Sequence, residues 1–167
     1  MERYKDDDPA KYLYQDQWLE AETYDETIRV QESADVQIKV TVTRHGPVIA
    51  GGPDQGSGLA FKYTATEQAS TWPEILWRML RVENSQELVD SMRGWVDPCN
   101  NFVFADVHGD IGYLNRGRVP MRSMANAWLP VPGWTGEHEW QGHIPFEELA
   151  RSRNPDTGYI VTANNRI

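Results

Sequence analysis

Hydrophobic and polar positions alternate cleanly over residues 36–43. Val36, Ile38, Val40 and Val42 fall on one face of an extended segment, and Gln37, Lys39, Thr41 and Thr43 on the other. A period of two predicts a strand with one wet face, here the face carrying Lys39 and the threonines. The β-branched stretch 27–31 predicts a second strand, joined to the first through the polar Glu32-Ser33-Ala34-Asp35. Residues 6–9 carry Asp and Pro turn chemistry. Gly46-Pro47 is expected to break the strand. Residues 51–58 read as a glycine-rich loop, followed by another strand over 59–64.

The period changes in the middle of the chain. Ile75, Leu76, Met79 and Leu80 recur at helical spacing over 72–81, with Pro73 suited to a first turn. Leu88, Val89 and Met92 do the same over 85–95, and both stripes read as core. Strand patterns return at 102–106 and 111–115, connected through Val107-His108-Gly109-Asp110 with glycine in the turn. Loops rich in Pro and Gly fill 118–142, a short helix is expected over 146–151, and the turn 154–158 leads into a strand over 159–162. The expected class is α+β, strand-rich with a central helix pair. The 167 residues fit a single domain, 1–167.

Charge narrows the range of partners. The formal net charge is −9, and no block of Lys or Arg suits a phosphate backbone or an anionic membrane surface. No apolar run approaches the roughly 20 residues of a spanning helix. Neither a nucleic acid nor a membrane is expected as partner. The single cysteine, Cys99, cannot form an internal disulfide and reads as a small turn residue rather than a nucleophile.

Several candidate chemistries fail on spacing. His138 and His143 lie five apart with Gly142 between them, whereas a helical zinc pair needs i and i+4. No metal site is assigned. The glycines of 51–58 lack the Gly-Lys-Ser/Thr ending of a phosphate loop, and Ser57 lacks a nucleophile elbow. Acidic residues such as Asp106, Asp110, Glu137, Glu139, Glu147 and Glu148 read as surface charge, not as a glycosidase pair.

A set of motifs in order changes the picture. They are Thr43-Arg44-His45-Gly46-Pro47-Val48, Asn101-Phe102-Val103-Phe104-Ala105-Asp106, Gly109-Asp110-Ile111-Gly112-Tyr113 and Gly117-Arg118-Val119-Pro120-Met121-Arg122. Pro132-Gly133, Trp140 with Gly142, Ile144-Pro145-Phe146 and the turn from Asn154 to Gly158 continue them, ending at Thr162-Ala163-Asn164-Asn165-Arg166. Together they resemble the β-chain of the penicillin acylase family of N-terminal-nucleophile amide hydrolases, with Asp110 where the family block has Asn. The resemblance implies an αββα sandwich, of which this chain would be an internal β-chain fragment.

It further implies that Asn164 is the oxyanion-stabilising residue. The N-terminal Ser nucleophile and a second, backbone N–H donor would lie outside the chain. Asn100 aligns with a position that lines the acyl pocket in some members, where it is apolar. The polar Asn100 argues against a phenylacetyl-like acyl group. His45 sits at a turn and reads as structural. The resemblance implies no cofactor for catalysis, a structural calcium whose ligands fall mostly outside this chain, and a periplasmic or secreted location. The implied partners are a small N-acyl substrate and the remaining α- and β-chain segments of the same precursor. Two readings compete with an amidase: a binding module using Trp128, Trp134 and Trp140, and a homologue that keeps the fold without the nucleophile.

Overall fold

A computed structural model describes residues 1–163 of the chain. They form two compact units, one from residues 1–63 with 122–141, the other from 64–121 with 142 onward.

The first unit is built on seven antiparallel strands: β1 (Glu2–Lys5), β2 (Asp8–Tyr14), β3 (Gln17–Glu20), β4 (Glu22–Ile28), β5 (Val36–Thr43), β6 (Gly46–Gly52) and β7 (Ser57–Ala60). Their order across the sheet is β3-β2-β1-β7-β6-β5-β4. The expected hairpin around residues 32–35 is present, with β4 starting earlier than its β-branched stretch suggested. Glu22 pairs with Val42 and Ile28 with Val36.

Two expectations are corrected here. Gly46-Pro47 does not end the extended chain but starts β6. A two-residue turn at Arg44-His45 closes the β5–β6 hairpin, with Thr43 opposite Gly46 and Val42 opposite Pro47. Gly46 has φ +104°, and a Cβ there would lie 2.3 Å from the carbonyl oxygen of Phe61, so a side chain would clash as well as strain the backbone. Residues 51–58 are not one loop either. Gly51 pairs with Gly58 and Gly52 with Ser57, around a single 3-10 turn at Pro53–Gln55.

At the C-terminal end of β5 the buried face is not the expected one, while both faces of its N-terminal half are exposed. Thr41 and Thr43 are buried, whereas Val36 and Ile38 are exposed at 47% and 40%. The Thr43 hydroxyl donates to Glu2 Oε1 at 2.9 Å, and Glu2 is fully buried. Burying a carboxyl group is costly without hydrogen bonds; the threonine face provides a donor to Oε1, while the buried Oε2 has no hydrogen-bond partner among the described residues.

The second unit holds α1 (Thr64–Glu67), α2 (Trp72–Met79), α3 (Ser85–Ser91), β8 (Asn100–Ala105), β9 (Ile111–Arg116) and β10 (Arg151–Arg153). The strands form an antiparallel sheet in the order β10-β9-β8. Its core is Ile75, Met92, Trp95, Leu114 and Leu149, with Met79, Leu88, Val89 and Phe102 packed around it. The two helical stripes therefore do face the core, except that Leu76 and Leu80 are exposed at 40% and 79%. A helix this short turns only one narrow strip inward, and Ile75 and Met79 occupy it.

The helix α3 starts at the expected Ser85 and ends at Ser91, short of the expected Trp95. Asn84 is its cap: the Asn84 side chain accepts from the Glu87 N–H at 3.0 Å, and Glu87 Oε2 accepts from the Glu83 N–H at 2.9 Å. The first bond satisfies a helix donor that the helix itself cannot, and the second ties the residue before the cap to the first turn. The β8–β9 hairpin pairs Asn100 with Arg116 through to Ala105 with Ile111, with Gly109 at φ +93° in its turn. The helix expected over 146–151 is a 3-10 turn at Phe146–Glu148, after which the chain enters β10. The strand expected over 159–162 is absent. Those residues take no regular structure and pair with no described strand, and Tyr159 and Val161 are exposed at 64% and 75%.

Candidate functional site

Asn164, the residue expected to stabilise an oxyanion, lies outside the described residues. The described residues before it include a well-bonded turn. After β10, Asn154 takes a left-handed conformation (φ +46°) and opens the turn that ends at Gly158 (φ +74°). The Asn154 backbone N–H donates to the Ile111 carbonyl at 3.0 Å, and the Ile111 N–H returns a hydrogen bond to Asn154 Oδ1 at 2.9 Å. The Asn154 amide nitrogen then donates to Asp110 Oδ1 at 2.7 Å.

Asp110 gathers further donors. Ser85 Oγ donates to its Oδ2 at 2.9 Å, and the Arg153 guanidinium donates to the same oxygen. Arg153 also donates to Ser85 Oγ at 3.1 Å and to Gln86 Oε1 at 3.0 Å. The Asp110 backbone N–H donates to Asp106 Oδ1 at 3.1 Å, and Asp106 Oδ2 accepts from the Ser85 N–H at 3.0 Å. The bonds from Arg153, Asn154 and Ser85 pull the Asp110 carboxyl down to about 2. One carboxylate thus ties together the start of α3, the β8–β9 turn and the turn after β10. Sequence reading quoted Asp110 in a motif and discounted it as surface charge. Its partners are 25 and 43 residues away, so local spacing carried no signal for them.

Asn100 opens β8 and is exposed. Its Oδ1 accepts from Arg116 Nε at 2.9 Å. The Arg116 guanidinium lies 3.7 Å from the Trp95 ring centroid and 4.6 Å from that of Phe102. Desolvation pulls Arg116 below its usual value. The polar Asn100 is matched to a cation held over two aromatic faces, an arrangement that an apolar residue at this position could not bond.

The first unit carries a separate charged cluster. His45, in the β5–β6 turn, faces Glu2 Oε1 through Nδ1 at 2.7 Å and Glu139 Oε1 through Nε2 at 2.6 Å. Neutral imidazole has a single N–H, so both contacts are hydrogen bonds only when the three groups share one additional proton. Lys62 Nζ donates to Glu139 Oε2 at 3.3 Å, and Arg44 Nε lies 3.5 Å from Glu139 Oε1. Both ring nitrogens of His45 are engaged, in keeping with a structural role. Glu2 and Glu139 were not singled out for this cluster from sequence, because they lie 43 and 94 residues from the histidine.

The discounted groups are accounted for by their contacts. His138 Nδ1 meets Ser123 Oγ at 2.9 Å, and His143 Nε2 meets Glu67 at 3.2 Å. Burial pushes the Cys99 thiol up, and Sγ lies 3.4 Å from Asn115 Oδ1. A raised thiol supplies little thiolate. Glu147 pairs with Arg93. Among the tryptophans, Trp134 is covered by Arg3 at 4.4 Å and Trp140 by Lys62 at 5.2 Å, while Trp128 is 62% exposed.

The sequence profile described as Penicillin amidase matches residues 1–167. The chain belongs to the penicillin amidase family. It is 46% identical over 140 residues to penicillin acylase 2 proenzyme of a Pseudomonas species, covering 84% of this chain and 18% of that protein. Penicillin G acylase of Escherichia coli is 32% identical over 167 residues, covering 98% of this chain and 19% of the relative. Acyl-homoserine lactone acylase QuiP of Pseudomonas putida is 31% identical, covering 93% and 19%. Among solved structures, the thermostable penicillin G acylase from Alcaligenes faecalis matches with a TM-score of 0.83 at 28% identity. That match covers 99% of this chain and 30% of the other. The strand-rich α+β architecture is therefore that of the corresponding stretch of an N-terminal-nucleophile hydrolase. This penicillin amidase segment spans about a fifth of the length of the curated relatives it matches.

Proposed function

We propose that the longer protein containing this segment hydrolyses the amide bond of N-acyl substrates, and that the segment supplies Asn164 to stabilise the oxyanion. The observation that carries this reading is the family match over the whole chain, joined by relatives named as penicillin and acyl-homoserine lactone acylases. In the proposed cycle a serine oxygen at the β-chain N-terminus attacks the amide carbonyl and its proton passes to the serine's own α-amine. The Asn164 amide donates to the oxygen that becomes negative. The C–N bond breaks, the leaving amine takes the proton, and water cleaves the acyl-enzyme to release the acid and restore the serine.

The cycle uses no cofactor. The calcium implied by the resemblance draws its ligands mostly from outside this segment, and no step runs through it. The polar Asn100, in place of an apolar residue, speaks for an acyl group with a polar or differently shaped tail over phenylacetyl. The remaining precursor segments complete the site.

The test is Asn164→Ala in the full-length protein. The expected result is a kcat lower by roughly 10²–10³, the usual cost of one lost oxyanion donor, with self-processing intact. An unchanged kcat overturns the assignment.

A further inference from the structure

We propose that the apolar face of the β4–β5 ribbon is covered by a segment of the same longer protein from outside residues 1–167, and that this segment sets a Lys or Arg against Glu26. The register defines the face. Residues directly opposite in an antiparallel pair project to the same side, so Glu22 with Val42, Tyr24 with Val40, Glu26 with Ile38 and Ile28 with Val36 form one surface. The other surface holds Thr23 with Thr41, Asp25 with Lys39 and Thr27 with Gln37. There the Thr27 hydroxyl donates to Gln37 Oε1 at 2.7 Å. Where the ribbon joins the sheet, the unit packs on this polar side, since Thr41 and Thr43 are buried. The apolar side stays open: Tyr24, Ile28, Val36 and Ile38 are each 40–50% exposed. The strand β4 ends the sheet, and all seven of its residues are exposed.

Four large side chains on one open surface mark a contact face, and two observations decide its occupant. Glu22 and Glu26 stand within the apolar surface, and neither carboxylate has an ion-pair partner among the described residues. Once covered, such a charge must be met by a cation. A second copy presenting the same face would set carboxylates against carboxylates. The other observation is length. The chain spans about a fifth of the curated relatives, which leaves ample sequence to supply the cover, and a tethered segment acts at high effective concentration. The inference does not depend on the role of Asn164.

The experiment places the photocrosslinker p-benzoylphenylalanine in the full-length protein in place of Tyr24, an aromatic ring for an aromatic ring, and maps the crosslinked peptides by mass spectrometry. The expected product joins position 24 to a peptide of the same molecule outside residues 1–167, with a Lys or Arg in it, at a yield independent of protein concentration. The crosslinker at Val36 serves where the first variant does not fold. Glu26→Lys is expected to speed hydrogen exchange of the β4 amides about tenfold or more, as an unpaired covered charge favours local opening. Changing the crosslinked cation to Glu in that background is expected to restore protection. A yield that rises with protein concentration identifies a second copy and overturns the proposal. So does a crosslink confined to residues 1–167, or none at either position. Unchanged exchange in Glu26→Lys overturns the charge match.

Discussion

Glu2 and Asp110 are two carboxyl groups held by distant side chains. Glu2 is fully buried, and its charge is met by His45 and the Thr43 hydroxyl. Removing one member of a buried pair leaves the other uncompensated, at about 3–5 kcal/mol. We therefore expect His45→Ala to lower the opening free energy of the β5–β6 turn by about 3 kcal/mol, read by native-state hydrogen exchange in the full-length protein. Glu2→Gln with His45→Ala should recover part of that loss, since the orphaned charge is gone. Asp110 gives a pH-dependent case. Its folded carboxyl is depressed to about 2, below the usual ~3.9 of the unfolded chain. Its stabilising contribution is complete above the unfolded value and disappears as pH falls from about 4 toward 2. Denaturant unfolding across that window should show a pH slope that Asp110→Asn reduces. An identical slope in the variant would remove Asp110 from the acid response.

At the scale of elements, the cap of α3 makes a direct prediction. Asn84 accepts from the Glu87 N–H and has an extended backbone, so Asn84→Ala should destabilise the helix by about 1 kcal/mol. Asn84→Gly should cost only a few tenths, both read from exchange of the α3 amides. Elements were legible wherever local chemistry decided them. The β4–β5 and β8–β9 hairpins and the α2–α3 pair followed from period and turn residues. What stayed hidden was the outcome of long-range competition. Alternation identified β5 as a strand but missed that its C-terminal end buries the threonine side, where a carboxylate 41 residues away claims Thr43. Gly46-Pro47 looked like a breaker because the turn that it follows, Arg44-His45, has no sequence signature as strong as Gly-Pro. The strand expected over 159–162 failed for a similar reason: β-propensity cannot supply the neighbour whose backbone a strand must bond.

On the scale of the whole molecule, the surface asks for more protein than this chain provides. Tyr24, Ile28, Val36 and Ile38 lie on one face of the β4–β5 ribbon, and each is 40–50% exposed. Patches of this kind normally mark contact surfaces, and the matched relatives are about five times longer. The motifs made the family legible in the sequence. The Asp110 and His45 clusters became visible only once the fold had joined distant segments. The same split governs what can be tested. An N-terminal nucleophile is useful only when a free α-amine sits beside it, and a peptide bond must be cut to release that amine. The full-length protein should therefore mature into two chains, the heavier one beginning with Ser, Thr or Cys, as intact mass would show. Replacing that first residue with Ala should leave one unprocessed chain with no amidase activity. Full activity from a single uncut chain would mean that the base is not an α-amine, and that this family member works by a different nucleophile.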